Sequence, residues 1–512
     1  MELQNRENVL LAIGIIAVLI LSTTKVVGAD KSEVTVEFET AFHVPVGQRQ
    51  LFLDDYGIAR IENLRRTLHQ PVKKGAVIRP DRPWENVLQT RCAPAWDPKV
   101  KRFKLWMITS TTIPGVGEMT YAESKDGIHW TKPNLRQKKI QGTLENNIVT
   151  VDPKLEWPAN AIENVVFDPD DPDASRRFKG LANAHSREPI VSPDGIRWKR
   201  LNVPALPSND ESNLSYDRLT GTFIATLKTN SAPKTGGPYG RSQAIWTSKD
   251  FEHWTNLEVI FHVDARDQTL GLENMQARLA DPTLHHPFID PAGGFVDVYN
   301  IGVSRYEGLY IGFPALFHHT GRGPGPDPHI GFHLVQLASS RDLQNWKRLG
   351  ERKTFIGPSK VASGAYDLTQ ILPPTGPVVR GDELWFYYTG IKYRVPPKDA
   401  RKYGAVCLAV LRRDGFISLD AGGKGGTLLT QSFTASAKKL FVNVDAVQGE
   451  LQAEVLDWNG EVLAVASPVK GDLLRGEVKW KRGDVADFTG KVISMRFRLR
   501  NAAFYSYWFD EN

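Results

Sequence analysis

The chain has 512 residues, 41% of them hydrophobic and 24% charged, with a formal net charge of +6. That is ordinary globular composition. Its two cysteines, Cys92 and Cys407, exclude a disulfide scaffold. The excess charge is local: residues 1–29 are neutral, and residues 425–512 hold 11 basic and 11 acidic side chains, so all of +6 falls in 30–424. A basic body of this kind suits an anionic ligand without demanding one.

Residues 1–29 read as a secretory signal. Arg6 precedes a thirteen-residue apolar run over 9–21, and a polar stretch ends in the small residues Gly28 and Ala29. The run is short for a bilayer span. The alternative is an uncleaved anchor, because Glu2 and Glu7 weaken the positive end. The mature chain is therefore expected to be exported, periplasmic or extracellular, with no stable membrane span. Nucleic acid is not an expected partner, since no basic run or recognised binding motif is present.

In chain order, 51–55 and 64–68 read as strands, and an N-terminal strand is expected to complete the last unit of a ring and remove its exposed edges. A turn of the form Ser-x-Asp-x-x-x-Trp then recurs four times, at Ser124–Trp130, Ser192–Trp198, Ser248–Trp254 and Ser340–Trp346. A fifth copy, 412–416, keeps Asp414 and loses the Ser and the Trp. The Asp is expected to accept backbone N–H bonds two or three residues on, Gly where present supplies positive φ, and the Trp packs back onto the sheet. Strand-like text precedes each copy: 102–108 and 119–122, then 164–167, 213–217 and 222–227, 296–300 and 309–313, and 383–388. Units this small bury their sheets only by stacking around an axis. The Asp positions lie 68, 56, 92 and 72 residues apart, more than the ~40–45 of a minimal blade. Long loops are therefore expected, two of them at 232–240 and 320–328. The cysteines fall in the first and last units, where a bridge would staple the ring and two buried thiols are equally compatible.

The glycine cluster 422–426 reads as a boundary. Beyond it, Leu451, Ala453 and Val455 alternate with polar residues, as do Met495, Phe497 and Leu499 with Arg496, Arg498 and Arg500. Period two with one apolar face is a half-buried antiparallel strand, so 425–512 is expected to be a small β-sandwich. The arginine row reads as a solvated face or, less simply, a binding stripe. The fold class is thus all-β, a five-bladed β-propeller over 30–424 followed by the sandwich.

This combination resembles the five-bladed glycoside hydrolases of families 32 and 43. Residues 50–55, 68–71, 79–85, 210–213 and 306–312 look most like a group of exported bacterial family 32-like proteins of unassigned activity. The resemblance implies a carbohydrate substrate. The family motifs Asn-Asp-Pro-Asn, Arg-Asp-Pro and Glu-Cys-Pro do not stand at matching places here, and Ala280-Asp281-Pro282 falls too late in the chain. No catalytic residue carries over from the resemblance.

Position supplies candidates instead. Acids near the starts of inner strands face the channel mouth: Glu85, Glu163, Asp210 and Glu211, Asp297 or Glu307, and Asp367, with Asp54 and Asp55 within reach. Glycoside hydrolysis needs one protonated and one ionised carboxyl. The expectation is that Asp210 or Glu211 pairs with Glu163 or Asp55. Asp367, Tyr366, Asn213, Asn164 and Glu307 are expected to contact sugar, and Tyr299, Tyr306, Trp84 and Trp157 are candidates to stack on it or to pack in the core. The alternative function is a propeller that binds carbohydrate without cleaving it. The histidines His285, His286, His318, His319, His329 and His333 match no ligand pattern, so no catalytic metal or other cofactor is expected. Some related propellers carry one Ca²⁺ in the channel, which the resemblance leaves open.

Overall fold

A computed structural model describes residues 42–110, 117–153, 162–231, 240–284, 293–322 and 329–511. The signal segment, Trp157, His285, His286 and most of the two long loops lie outside them. The described chain is mostly β-strand, with one α-helix, Ala265–Ala280, and four 3-10 turns.

Between residues 72 and 412 the strands form four sheets, of ten, six, four and five strands. The ten-stranded one joins the two ends of this stretch through a single parallel contact, Gly404 with Val87, on either side of which lie a first and a fifth antiparallel group. The first holds Val87–Gln89, Arg102–Ser110, Gly117–Ser124 and Trp130–Thr131. The second holds Ile162–Phe167, Phe178–Ala182, Ser186–Ser192 and Arg197–Arg200. The third holds Ser212–Asp217, Thr222–Thr229, Ser242–Ser248 and Trp254–His262. The fourth holds Phe295–Tyr306, Leu309–Arg322, Ala338–Ser340 and Lys347–Arg348. The fifth holds Gln370–Leu372, Glu383–Ile391 and Gly404–Arg412. Its outer strand is Val72–Ile78, from the other end of the chain. The strand-like text at 51–55 and 64–68 goes elsewhere: Gln50–Leu51 pairs with Ala502–Asp510, and Arg65–Leu68 with Ile417–Ala421.

The recurring turn has one hydrogen-bond pattern. In the first copy Asp126 Oδ1 accepts from the backbone N–H groups of Ile128 and His129, both at 2.8 Å. Ser124 Oγ accepts from the Gly127 N–H at 2.9 Å and donates to the His129 carbonyl at 2.7 Å. The Trp130 indole N–H donates back to the Gly127 carbonyl at 2.8 Å. Asp194, Asp250 and Asp342 repeat the Asp bonds. The residue after each Asp has positive φ: 81° at Gly127 and 75° at Gly195, but also 67° at Phe251 and at Leu343. Strain there of about 1–2 kcal/mol is offset because both side chains are buried in the core.

At Gly195 substitution is doubly costly. An added Cβ would sit 2.5 Å from a ring carbon of Trp106, which also donates its indole N–H to the Gly195 carbonyl at 2.6 Å. Gly195→Ala is expected to destabilise by about 2–4 kcal/mol from overpacking plus left-handed strain. Urea unfolding measures it, and a loss below 0.5 kcal/mol (roughly the scale of a surface change) contradicts this packing.

Residues 427–512 do not build their sheet alone. Ile58–Glu62, Arg65–Leu68 and Ile417–Ala421 join it, in the order Ile58–Glu62, Gly426–Thr430, Val492–Arg500, Lys439–Leu456, Ala502–Asp510, Ile417–Ala421, Arg65–Leu68. Phe42, Val44 and Phe52 share its core with Phe497, Phe504 and Tyr507. The alternation holds: Leu451, Ala453, Val455, Met495, Phe497 and Leu499 are all buried. The arginine row is a cross-strand charge ladder, with Arg496 and Arg498 on Glu454 and Arg500 on Glu450.

Candidate active site

The first strands of the groups meet around one buried carboxylate. Glu211 immediately precedes Ser212–Asp217, and the Arg91 guanidinium grips both its oxygens, Nε and Nη2 each at 2.7 Å. Asn300 Nδ2 lies 3.5 Å from Glu211 Oε2 and 3.4 Å from Asn213 Oδ1. Asn213 donates to the Arg91 carbonyl at 2.9 Å, and Asn164 donates to Ser212 Oγ at 2.8 Å. Thr375 Oγ1 donates to the carbonyls of Arg91 and Leu214 and ties the fifth group to the cluster. Asp210, at φ 73°, turns outward and takes Lys228 Nζ at 2.6 Å.

A second buried carboxyl, Asp297, stands beside this cluster on Phe295–Tyr306. That strand carries a bulge between Val298 and Asn300. Val296 and Val298 share a core with Ile301 and Val303, a step of three across the bulge. The extra residue therefore sets Asn300 on the same side as Asp297. Asp297 is fully buried, and neither oxygen has a hydrogen-bond partner among the described residues. Its nearest charged neighbour is Arg241 at 3.7 Å, and His319 Nε2 lies at 3.5 Å. The Arg241 guanidinium donates to that same ring nitrogen at 3.1 Å. Burial followed by the Arg241 charge drives the His319 pKa down, so the ring is neutral.

The two carboxyls titrate apart. Burial pushes Asp297 up to about 6, against the opposing charges of Arg241 and Lys228. Burial would also raise Glu211, but the charge and hydrogen bonds of Arg91, with Lys228 and Arg187 farther out, hold it below the ordinary glutamate range. Between these limits one group carries a proton and the other a charge, the division of labour that acid-assisted hydrolysis needs.

Asp210, Glu211, Asn213 and Asn164 thus come together. Glu163 lies one residue before Asn164 on Ile162–Phe167, and its side chain lies outside the described residues. Asp55 stands apart, exposed, ion-paired to Arg66 and 3.4 Å from Lys347, because its segment pairs with the C-terminal sheet. Asp367 is buried under Lys73 Nζ at 2.7 Å and the Tyr388 hydroxyl at 2.9 Å, clasping the closing strand. Tyr366 lies under Lys392, 4.6 Å from its ring centroid. Glu307 sits in the turn after Tyr306, accepts the Arg49 N–H at 3.0 Å, and is about 30 Å of strand away from Asp297. Glu85 is held by Lys132 at 2.6 Å. Both cysteines are free and buried. Among the described residues no group of three or more His, Cys, Asp or Glu is placed to hold a metal ion.

Position in the chain did not point to Arg91, Asn300, Lys228, Arg241 or His319. A basic residue just after the first strand of the first group, where an acid was sought, was the one local signal.

No known protein family and no curated protein matches the sequence. Solved structures resemble the chain weakly. One described only as a glycoside hydrolase is 14% identical over 67% of this chain and 92% of its own, with a TM-score of 0.41. A fructofuranosidase from Schwanniomyces occidentalis complexed with fructosylnystose is 9% identical over 84% and 96%, at 0.39. A family 43 arabinoxylan arabinofuranohydrolase from Bacillus subtilis is 10% identical over 86% and 99%, at 0.36.

Proposed function

We propose that this chain is an exported glycosidase, a five-bladed β-propeller with a C-terminal β-sandwich, that cleaves a poly- or oligosaccharide at the mouth formed by Glu211 and Asp297. The five strand groups support the propeller, since each bonds or packs against the next in a closed circle. Trp106 reaches Gly195, Asn164 reaches Ser212, and Thr226 reaches Ile301. Phe313 packs on Phe386, and Thr90 and Thr389 exchange hydrogen bonds. Export rests on the leader pattern of residues 1–29.

The observation that carries the chemistry is a pair of buried carboxyls, Glu211 with Asn300 at 3.5 Å and Asp297 three residues before Asn300 on the same strand, whose pKa values are pushed in opposite directions. Asp297 donates its proton to the leaving-group oxygen. Glu211, ionised, faces the positive charge that develops on the sugar and acts as nucleophile or base. The Arg91 fork favours a second reading. A carboxylate gripped on both oxygens binds hydroxyls well and attacks poorly, which fits a propeller that binds carbohydrate without cleaving it.

A glycan panel with detection of released reducing ends decides between them. The proposal expects product from at least one glycan, and loss of that product in Glu211→Gln. Glycans that bind while none is cleaved establish the binding reading instead.

A further inference from the structure

A cavity of about 310 Å³ opens on the third strand group, beside the mouth. Its volume falls at the lower end of the range for small-ligand sites. Strand register builds its floor. Leu227 pairs with Ala244, Ala244 with Val259 and Trp246 with Asn256, so these side chains share one face. Between the last two pairs the outer strand bulges. Glu258 stands in that bulge at φ 65° with its side chain exposed, whereas Phe251 and Leu343 bury theirs in comparable backbone. Strain that gains no burial points to a side chain aimed for use. Asn256 holds the bulge: its Oδ1 accepts the Glu258 N–H at 2.9 Å, and its Nδ2 donates to Glu258 Oε1 at 3.3 Å. Trp246 is half-buried, packed in part on the core of Leu214, Phe223 and Leu227. The four turn tryptophans return their indole N–H groups to backbone carbonyls. That of Trp246 has no hydrogen-bond partner among the described residues and is not sealed from solvent. Ser208 and Lys228 form the wall toward the mouth. Ser208 Oγ donates to the Glu211 carbonyl at 3.1 Å, and the Lys228 N–H to the same carbonyl at 3.0 Å.

We propose that this cavity is a second carbohydrate subsite, which holds an uncharged sugar unit of the same glycan whose bond is cleaved at the mouth. A sugar ring carries an apolar C–H face edged with hydroxyls, and its complement is an aromatic surface with a few polar groups around it. Trp246 supplies the surface. Asn209, Asn256 and Glu258, all exposed at the rim, supply amide and carboxylate partners for hydroxyls. The charges favour a neutral ligand. Lys228 is already paired with Asp210 at 2.6 Å, and Glu258 has no ion pair among the described residues, so an anionic group would meet its repulsion. This deepens the glycosidase reading and rests on it for the position of the cleaved bond.

The test runs the full-length protein through native gels containing arabinoxylan, arabinan, inulin or galactomannan, each polymer also assayed for released reducing ends. At least one polymer retards the wild type. Trp246→Ala weakens the apparent affinity for it roughly tenfold, the scale of a buried aromatic anchor. Asn256→Ala weakens it severalfold, and Trp246→Phe, which keeps a ring, retains most of it. Asn256 is exposed, so its variant decides the matter if urea unfolding shows Trp246→Ala to be poorly folded. On a cleaved polymer Trp246→Ala raises KM severalfold with kcat little changed, because a remote unit is bound equally in the ground and transition states. Retardation by none of the polymers overturns the inference, as does retardation unchanged in both alanine variants. Cleavage together with unchanged retardation overturns it and leaves the glycosidase reading standing. Retardation lost in the variants, with no polymer cleaved, upholds the subsite and removes the glycosidase reading.

Discussion

Asp414→Ala is expected to destabilise the protein by about 3–5 kcal/mol, the cost of leaving a buried charge without its partner. Asp414 is buried in the degraded fifth turn, at φ 61°. It accepts from Arg49 Nη1, the Tyr306 hydroxyl and Ser506 Oγ, each at 2.6 Å, and from Asn443 Nδ2 at 3.2 Å. Those partners come from the N-terminal segment, the fourth strand group and two strands of the C-terminal sheet. One carboxylate thus joins parts of the chain up to 365 residues apart. Alanine strands the Arg49 guanidinium, which is only 8% exposed, and removes four bonds to a charged acceptor. Asp414→Asn keeps the shape and part of the bonding, with an expected cost of about 1.5–3 kcal/mol. Urea unfolding followed by circular dichroism measures both. A loss below about 1 kcal/mol for the alanine variant, the scale of one ordinary hydrogen bond, would show that the cluster is not a joint.

The four intact turns and the fifth differ in how far they could be read. Each intact copy is complete within seven residues, and its bonds reach two or three positions along the chain. Such a unit is legible in the sequence because its partners are adjacent text. Asp414 lost its local Ser and Trp, and its oxygens serve groups whose distance along the chain hides them. The same contrast runs through the site. Glu211 and Asn213 stand at the start of a first strand, so position alone marks them. Arg91, which sets the charge state of Glu211, is 120 residues away. Asp297 was visible as an acid near a strand start. Its burial and its neighbours Arg241 and His319 come from other strands, and a bulge sets the face it shares with Asn300, which period-two alternation does not anticipate. Asp55 illustrates the converse. It is an acid in strand-like text, but pairing with the C-terminal sheet carries it off the mouth.

Asp297→Asn is expected to lower kcat/KM by about 10²–10⁴, the usual share of a positioned proton donor, and to reshape both pH profiles. With Asp297 as the proposed acid, the active form of the wild type is the one protonated at Asp297. Activity should therefore fall tenfold per pH unit above about 6, where burial has moved this carboxyl, while the opposite limb, set by Glu211, lies below the ordinary glutamate range. The asparagine variant loses the upper limb. Stability follows the same proton. The folded-state pKa lies above that of the unfolded chain, so the folded state binds more protons between about 4 and 6. The contribution is fully present below the unfolded value of 3.8 and is lost as pH rises through about 6. A displacement of roughly two units corresponds to about 3 kcal/mol across that window. Unfolding free energies at pH 4.5 and 7.5 should show much of this fall in the wild type and little of it in Asp297→Asn. The two readouts separate the role from the environment. A flat wild-type stability profile means that Asp297 is not raised at all. A sloping stability profile with an unchanged pH–rate limb in Asp297→Asn means that it is raised but some other group delivers the proton.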